Sequence, residues 1–333
     1  MSRKRGILAS LVIGFVSILL CACAGSEPRS ITYNMCLGTS SPDDTVTGVF
    51  AEKFANEVKT LSGGKMTIKI YSNSTIGNDT ELLESCRDGD IPFVIQNTAP
   101  ETSFMPKLSV FDIPCSFSNI EEARKAIDNP IFYKKIENIY KSGDYKLLGM
   151  SDQGFRVMST NKKIEKFSDF KGQKIRTMEN SYHLAFWKSL GANPTPMAFS
   201  EVYIGLQQHT IDAEENPLEV IVSGKLYEQQ KYIIQTNHLP HYISLIMSET
   251  FYNKLSSDEQ EICKKAAKIA VEYSRQEADK RNQEKINYLE DNGTEVIPVS
   301  SKLHNEMEEA SQGVYKNICK KAGKSLVNEY IGK

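Results

Sequence analysis

Apolar positions along this chain recur first at every second residue and then at every third or fourth, and the two periods alternate. "ITYNMCL" from residue 31 reads as a strand, and "DDTVTGVFAEKFANEVKTL" reads as a helix with Asp43 and Asp44 in its first turn. "MTIKIYS" then predicts a strand, "NDTELLESCRDG" a helix and "IPFVIQ" a strand. That order predicts a parallel sheet flanked by helices, with ligands at the carboxyl ends of the strands. Those ends carry "GTSSPDD", "SNSTIGND" and "QNTAPE", whose hydroxyls and amides suit either turn chemistry or ligand contact, and Asn97 is the candidate contact among them.

A second alternating series runs from "YKLLGMSD" and "FRVMST" through "SYHLAFWKSLG", "SEVYIGLQQ" and "LEVIVSGKLYEQQ" to "KYIIQT". Two similar α/β lobes follow from this repetition of pattern. From Asp258 to Asn292 there is no Gly or Pro, with Ser256 to Glu259 as capping residues ahead and Gly293 behind. As one helix this segment would be about 50 Å long, more than the width of a small domain, and would cross both lobes. Two consecutive helices broken near Arg275 are the other reading.

The ends change the picture. Arg3, Lys4 and Arg5 precede an apolar run from Ile7 to Leu20, the layout of a secretory signal over residues 1–22. "LCAC" at 20–23 resembles a bacterial lipobox, which makes Cys23 the candidate for lipidation. The formal charge of −2 falls to −5 without those three basic residues, so the chain lacks the basic footprint of a nucleic-acid binder. Cys36, Cys86, Cys115, Cys263 and Cys319 are odd in number and widely spaced, unlike a disulfide framework, and read as mostly buried thiols.

Catalytic signatures are missing. "GMSDQG" is one residue too long for a nucleophile elbow, and neither a P-loop nor a dinucleotide fingerprint occurs. His238 and His241 in "HLPH" are separated by a proline, and no Cys pair supports a zinc site, so neither a metal nor a cofactor is expected. Glu214 and Glu215 in "IDAEENP" are adjacent and project differently, which disfavours a carboxylate dyad. What remains is Arg156 in "DQGFRVMST" and Arg176 in "KGQKIRTMEN", each in a polar setting on a predicted strand. The planar guanidinium fork is the natural receptor for a carboxylate.

At "LGANPTPMAFSEVYIGLQQHTIDAEENPLEVIVSGKLYEQQKY" the chain closely resembles the DctP family, the solute-binding subunits of tripartite ATP-independent periplasmic (TRAP) transporters. "SDFKGQKIRT", "GFRVMST", "VFDIPCSF" and "STIGNDTELLESCRDG" extend the likeness over nearly the whole mature chain. The resemblance implies a non-enzymatic, two-lobed periplasmic-binding-protein-like fold with hinge strands and a long helix spanning both lobes. Residues 30–153 with 242–281 would form lobe I, and 154–241 with 282–333 lobe II. It implies an organic-acid ligand passed to a sodium-driven membrane permease, without nucleic acid. Arg176 matches the arginine that pairs with the ligand carboxylate, Arg156 a second arginine, Asn216 a ligand-contacting asparagine and Phe199 an aromatic lining residue. Asn97 falls where a polar or acidic contact is common. Ala213 and Glu214 depart from the usual Gly and Gln, Pro92 replaces a common Asp, and Cys115 stands where Phe is usual. Neutral partners such as Asn97 and Asn216 favour a hydroxylated acid, a uronate or aldonate, over a C4-dicarboxylate. A secreted lyase or hydrolase and a neutral-sugar receptor are the competing readings.

Overall fold

The computed structural model describes residues 32–332, so the signal segment and Cys23 lie outside the described residues. Nine strands form one sheet: β1 Tyr33–Gly38, β2 Met66–Tyr71, β3 Phe93–Asn97, β4 Tyr145–Thr160, β5 Lys174–Thr177, β6 Asn193–Pro196, β7 Ala213–Asn216, β8 Tyr232–Ser248 and β9 Glu295–Pro298. Their order is β2-β1-β3-β8-β4-β7-β5-β6, with β9 added to β8. Pairing is parallel within β2-β1-β3 and within β7-β5-β6, and antiparallel where β8 meets β3 and β4 and where β4 meets β7.

The sheet is therefore mixed rather than parallel throughout. Two parallel wings are joined by β4 and β8, of 16 and 17 residues, each roughly 50 Å long at about 3.3 Å per residue. β3 pairs with the C-terminal part of β8, and β7 with the C-terminal part of β4, so the same two strands serve both wings. "YKLLGMSD" and "FRVMST" are thus one strand, with a register shift between Asp152 and Phe155. Gly154, at φ 76°, supplies the left-handed conformation that this irregularity requires.

Each wing carries its own apolar layers. In the first, Phe50, Phe54 and Val58 of the helix Val46–Leu61 pack with Ala266, Ala267 and Ala270 of the long helix, while Leu82, Phe111, Phe132 and Tyr242 form a core on the other face. In the second, Phe170, Trp187 and Met307 cover one face, and Val202, Ile221 and Leu289 the other. Asp43 and Asp44 precede the first helix, which is capped by Thr45 and has no acidic residue in its first turn. "LEVIVSGKLYEQQ" is divided into Leu218–Ser223 and a 3-10 turn Leu226–Gln229, because Lys225 adopts φ 54° between them.

The long helix is continuous from Ser257 to Asp291, with a capping box between Ser256 and Glu259, and no break occurs near Arg275. It begins on the first wing's core and ends with Leu289 in the second's. The last two helices, Gln312–Ala322 and Lys324–Tyr330, differ from the expected grouping of 282–333 with lobe II, whereas Leu303 and Met307 of Ser301–Ala310 pack on the second wing. Val314, Ile318, Val327 and Tyr330 complete the core around Phe111 and Phe132 on the first wing, since an amphipathic helix docks wherever an apolar face is open. The five described cysteines are free thiols, Cys86 and Cys263 buried and the other three half-buried.

Candidate ligand-binding site

The loops after the parallel strands of both wings converge on a small cavity. From the first wing it is lined by Ser40, Ser41, Asp79, Asn97 and His241, and from the second by Arg176, Met178, Phe199, Asn216 and Val220. Four expected site residues, Arg176, Asn97, Asn216 and Phe199, are brought together there. Arg156 is buried behind them.

Arg176 projects from the short strand β5, whose parallel neighbours fix its position. Its Nε and Nη2 both donate to the carbonyl of Met197, at 2.9 and 2.7 Å. Nη1 is buried and has no hydrogen-bond partner among the described residues. Burial lowers the Arg176 pKa, an effect that Glu214 and Glu215 oppose, and a guanidinium remains charged under any such shift. A desolvated cation with one free donor edge on a cavity is an anion receptor held in advance of its anion.

Arg156 is engaged. Its Nε and Nη2 make a two-point pair with the Glu215 carboxylate, Nη1 donates to Nδ1 of His241 at 2.6 Å, and Nη2 reaches Asn216 Oδ1 at 3.3 Å. Glu215 also meets His183 at 3.4 Å and His238 at 3.1 Å. Burial pushes the Glu215 carboxyl up, but Arg156, with the hydrogen bonds from His183 and His238, holds it well below the usual range. Burial lowers the His183 pKa, yet the hydrogen bonds to Asp112 at 3.2 Å and to Glu215 outweigh it and raise it.

Adjacent in sequence, Glu214 and Glu215 serve different partners because successive residues of β7 face opposite sides of the sheet. Glu214 accepts from Ser159 at 2.7 Å and from Nδ2 of Asn216 at 2.6 Å. Burial raises its pKa against those two hydrogen bonds. The unusual glutamate thus fixes the flip of the Asn216 amide beside the cavity. Asn97 has its amide committed as well: Oδ1 caps Ala99 N at 2.9 Å and Nδ2 donates to Tyr242 O at 2.8 Å.

Asp79 and Ser40 were not among the residues singled out from sequence, and His241 was considered there only as half of the discounted H-x-x-H pair. Asp79 accepts from Ser40 at 2.5 Å, and burial raises its pKa against that bond and the nearby Arg176. Their signal was present in the hydroxyl-rich loop "GTSSPDD" and in "IGND", but it could not be separated from turn chemistry. Contacts also cross the cleft around the cavity. Asn180 Nδ2 donates to Ala99 O at 2.9 Å and Asp112 Oδ2 at 2.8 Å, Thr80 donates to Glu179 at 3.1 Å, and Glu219 accepts from Val46 N at 2.9 Å.

Two α/β wings sharing continuous central strands, with a buried cation on a cavity between them, define an extracytoplasmic solute receptor of the two-lobed binding-protein class. The family model for bacterial extracellular solute-binding protein, family 7, matches residues 37–322, and the chain belongs to this DctP family of TRAP transporter solute-binding proteins. A solute-binding protein of Verminephrobacter eiseniae is 32% identical over 264 residues, 79% of this chain and 78% of that one. The sugar acid binding protein of Advenella mimigardefordensis, solved in complex with galactonate, superposes with a TM-score of 0.87 at 30% identity, covering 90% of this chain and 97% of that one. A TRAP periplasmic solute-binding protein of Polaromonas sp. JS666 bound to D-erythronate gives 0.86 at 30% identity, covering 90% and 98%. The chain is a receptor for small organic acids that works with a TRAP permease, and it is not an enzyme.

Proposed function

We propose that this receptor captures a small hydroxylated monocarboxylate, a sugar acid of the aldonate or uronate kind, with a C4-dicarboxylate as the second candidate, and hands it to the membrane permease. The observation that carries this reading is the unpartnered, buried Nη1 of Arg176 on the cavity. The ligand carboxylate would sit against that edge, with Asn216 donating beside it and Phe199 covering the carbon chain. Asn97 and Arg156 act through the groups they hold. Galactonate and D-erythronate in the two structural relatives support the sugar-acid reading by likeness.

The lobes in this proposal meet at the breaks in β4 and β8, near 153 and 242. Cys23 would carry a lipid anchor, and loss of membrane association in Cys23→Ser checks it. The binding reading is tested by calorimetric titration of candidate acids into wild type, Arg176→Ala and Arg176→Lys. Removing one partner of a buried charge pair costs about 2–5 kcal/mol, so Arg176→Ala should bind at least roughly thirtyfold more weakly. Lysine should fail as well, because a point charge cannot reproduce the fork. Binding of Arg176→Ala within about threefold of wild type would sink the carboxylate assignment.

A further inference from the structure

His241 lies in β8 on the cavity wall, and its protonation pattern is dictated by its neighbours. Arg156 Nη1, 2.6 Å from Nδ1, can only donate. The second neighbour, Asn97 Nδ2 at 3.3 Å, is also a donor, because the Asn97 amide cannot flip: its oxygen caps Ala99 N and its nitrogen serves Tyr242 O. Nδ1 therefore accepts and carries no proton, and the ring proton of a neutral imidazole sits on Nε2. Burial and the adjacent Arg156 charge push the His241 pKa well below its ordinary value, in agreement with the neutral ring. Nε2 makes no hydrogen bond to any of the described residues.

We infer that His241 is a specificity-determining residue whose Nε2–H, locked in one tautomer by Arg156 and Asn97, donates to a neutral oxygen of the ligand. The inference rests on the reading of this cavity as the solute site. It deepens that reading by assigning the recognised class: monocarboxylates with a hydroxyl or keto oxygen within reach of His241 when the carboxylate occupies Arg176. A ligand with a methylene there would leave this donor without a partner in a closed cavity, and an unmet buried donor is penalised. Arg156, expected as a direct ligand partner, contributes here through the imidazole that it orients.

The test is a double-mutant cycle between side chain and ligand. D-Erythronate and D-galactonate are titrated first; the tighter binder is compared with its deoxy analogues, each lacking one hydroxyl. The proteins are wild type, His241→Asn, whose amide reaches only the Nδ1 position, and His241→Gln, whose amide reaches the Nε2 position. One hydroxyl deletion should weaken wild type by about tenfold and leave His241→Asn nearly unaffected, while His241→Gln recovers part of the discrimination. A His241→Asn loss that is equal for the parent acid and every deoxy analogue means packing alone, and it overturns the inference, as does no loss at all. Arg176→Ala serves as the control for the site: undiminished binding there overturns the site reading itself. Failure of only the histidine cycle leaves that reading standing. If neither acid binds wild type, the hydroxy-acid class and the role of His241 fall together.

Discussion

Glu215 shows how one residue governs many others in this site. Its carboxylate is fully buried and faces Arg156, His183 and His238. Glu215→Ala should cost about 3–5 kcal/mol in urea unfolding, because it abandons a buried guanidinium. A loss below about 1 kcal/mol would show that water reaches the arginine and satisfies it. Glu101 provides a different test, in the first wing's core. It accepts from Ser244 at 2.5 Å and from Tyr140, and burial, opposed by those two bonds, pushes its pKa from 4.5 up to about 8. A folded value above the unfolded one means stability that is complete below about 4.5 and lost as pH rises to about 8. Urea midpoints between pH 5 and 8 should fall more steeply for wild type than for Glu101→Gln; parallel slopes would refute the assignment. At this scale the position of Arg176 on the cavity was legible, since an arginine at the end of a short predicted strand falls where parallel strands open onto a cleft. The partners of Arg156 were not, because Glu215, Asn216 and His241 are distant from it in sequence and only strand pairing unites them.

The elements were legible where one period ran unbroken. The long helix was visible from its caps and from the absence of Gly and Pro between them. β4 and β8 were not visible as wholes, because the Asp152–Phe155 shift interrupts the alternation of β4 and Pro240 falls at the matching irregularity in β8. The closeness of the long helix to β4 also depends on a residue without a side chain. A Cβ on Gly149 would lie 2.7 Å from Cγ2 of Val271, a branched side chain with little rotamer freedom in a helix. Gly149→Ala should therefore destabilise by about 1–3 kcal/mol as overpacking, and Gly149→Ala combined with Val271→Ala should recover much of the loss. Equal destabilisation of single and double variants in thermal unfolding would mean that the contact is relieved by backbone movement instead.

For the whole molecule, the cleft is bordered by contacts made only when the wings are together. Glu219 on the second wing accepts from Val46 N at 2.9 Å and from Arg281 of the long helix at 2.8 Å, and the same Arg281 nitrogen donates to Asp44 O at 2.9 Å. Ligand should draw the two wings together about the breaks in β4 and β8, reducing the radius of gyration in solution scattering. Glu219→Ala should enlarge the radius of the liganded protein and weaken binding of either sugar acid by roughly three- to tenfold, as one or two lost hydrogen bonds imply. An unchanged radius on saturation would refute closure about these strands.

The shared strands also bear on how the chain acquires its structure. β4 pairs with β8 from Tyr145↔Ser248 to Thr160↔Tyr232, joining residues about 100 and about 70 positions apart. The sheet of the first wing needs 243–247 beside β3, and that segment follows the entire second parallel set. Neither wing is a contiguous piece of chain that could mature alone. A nascent polypeptide ending before residue 242 would hold β3 and β4 with open edges, ready to pair with any other strand. Folding is therefore delayed until the second crossing strand has emerged, and loop closure over that separation makes the step intrinsically slow.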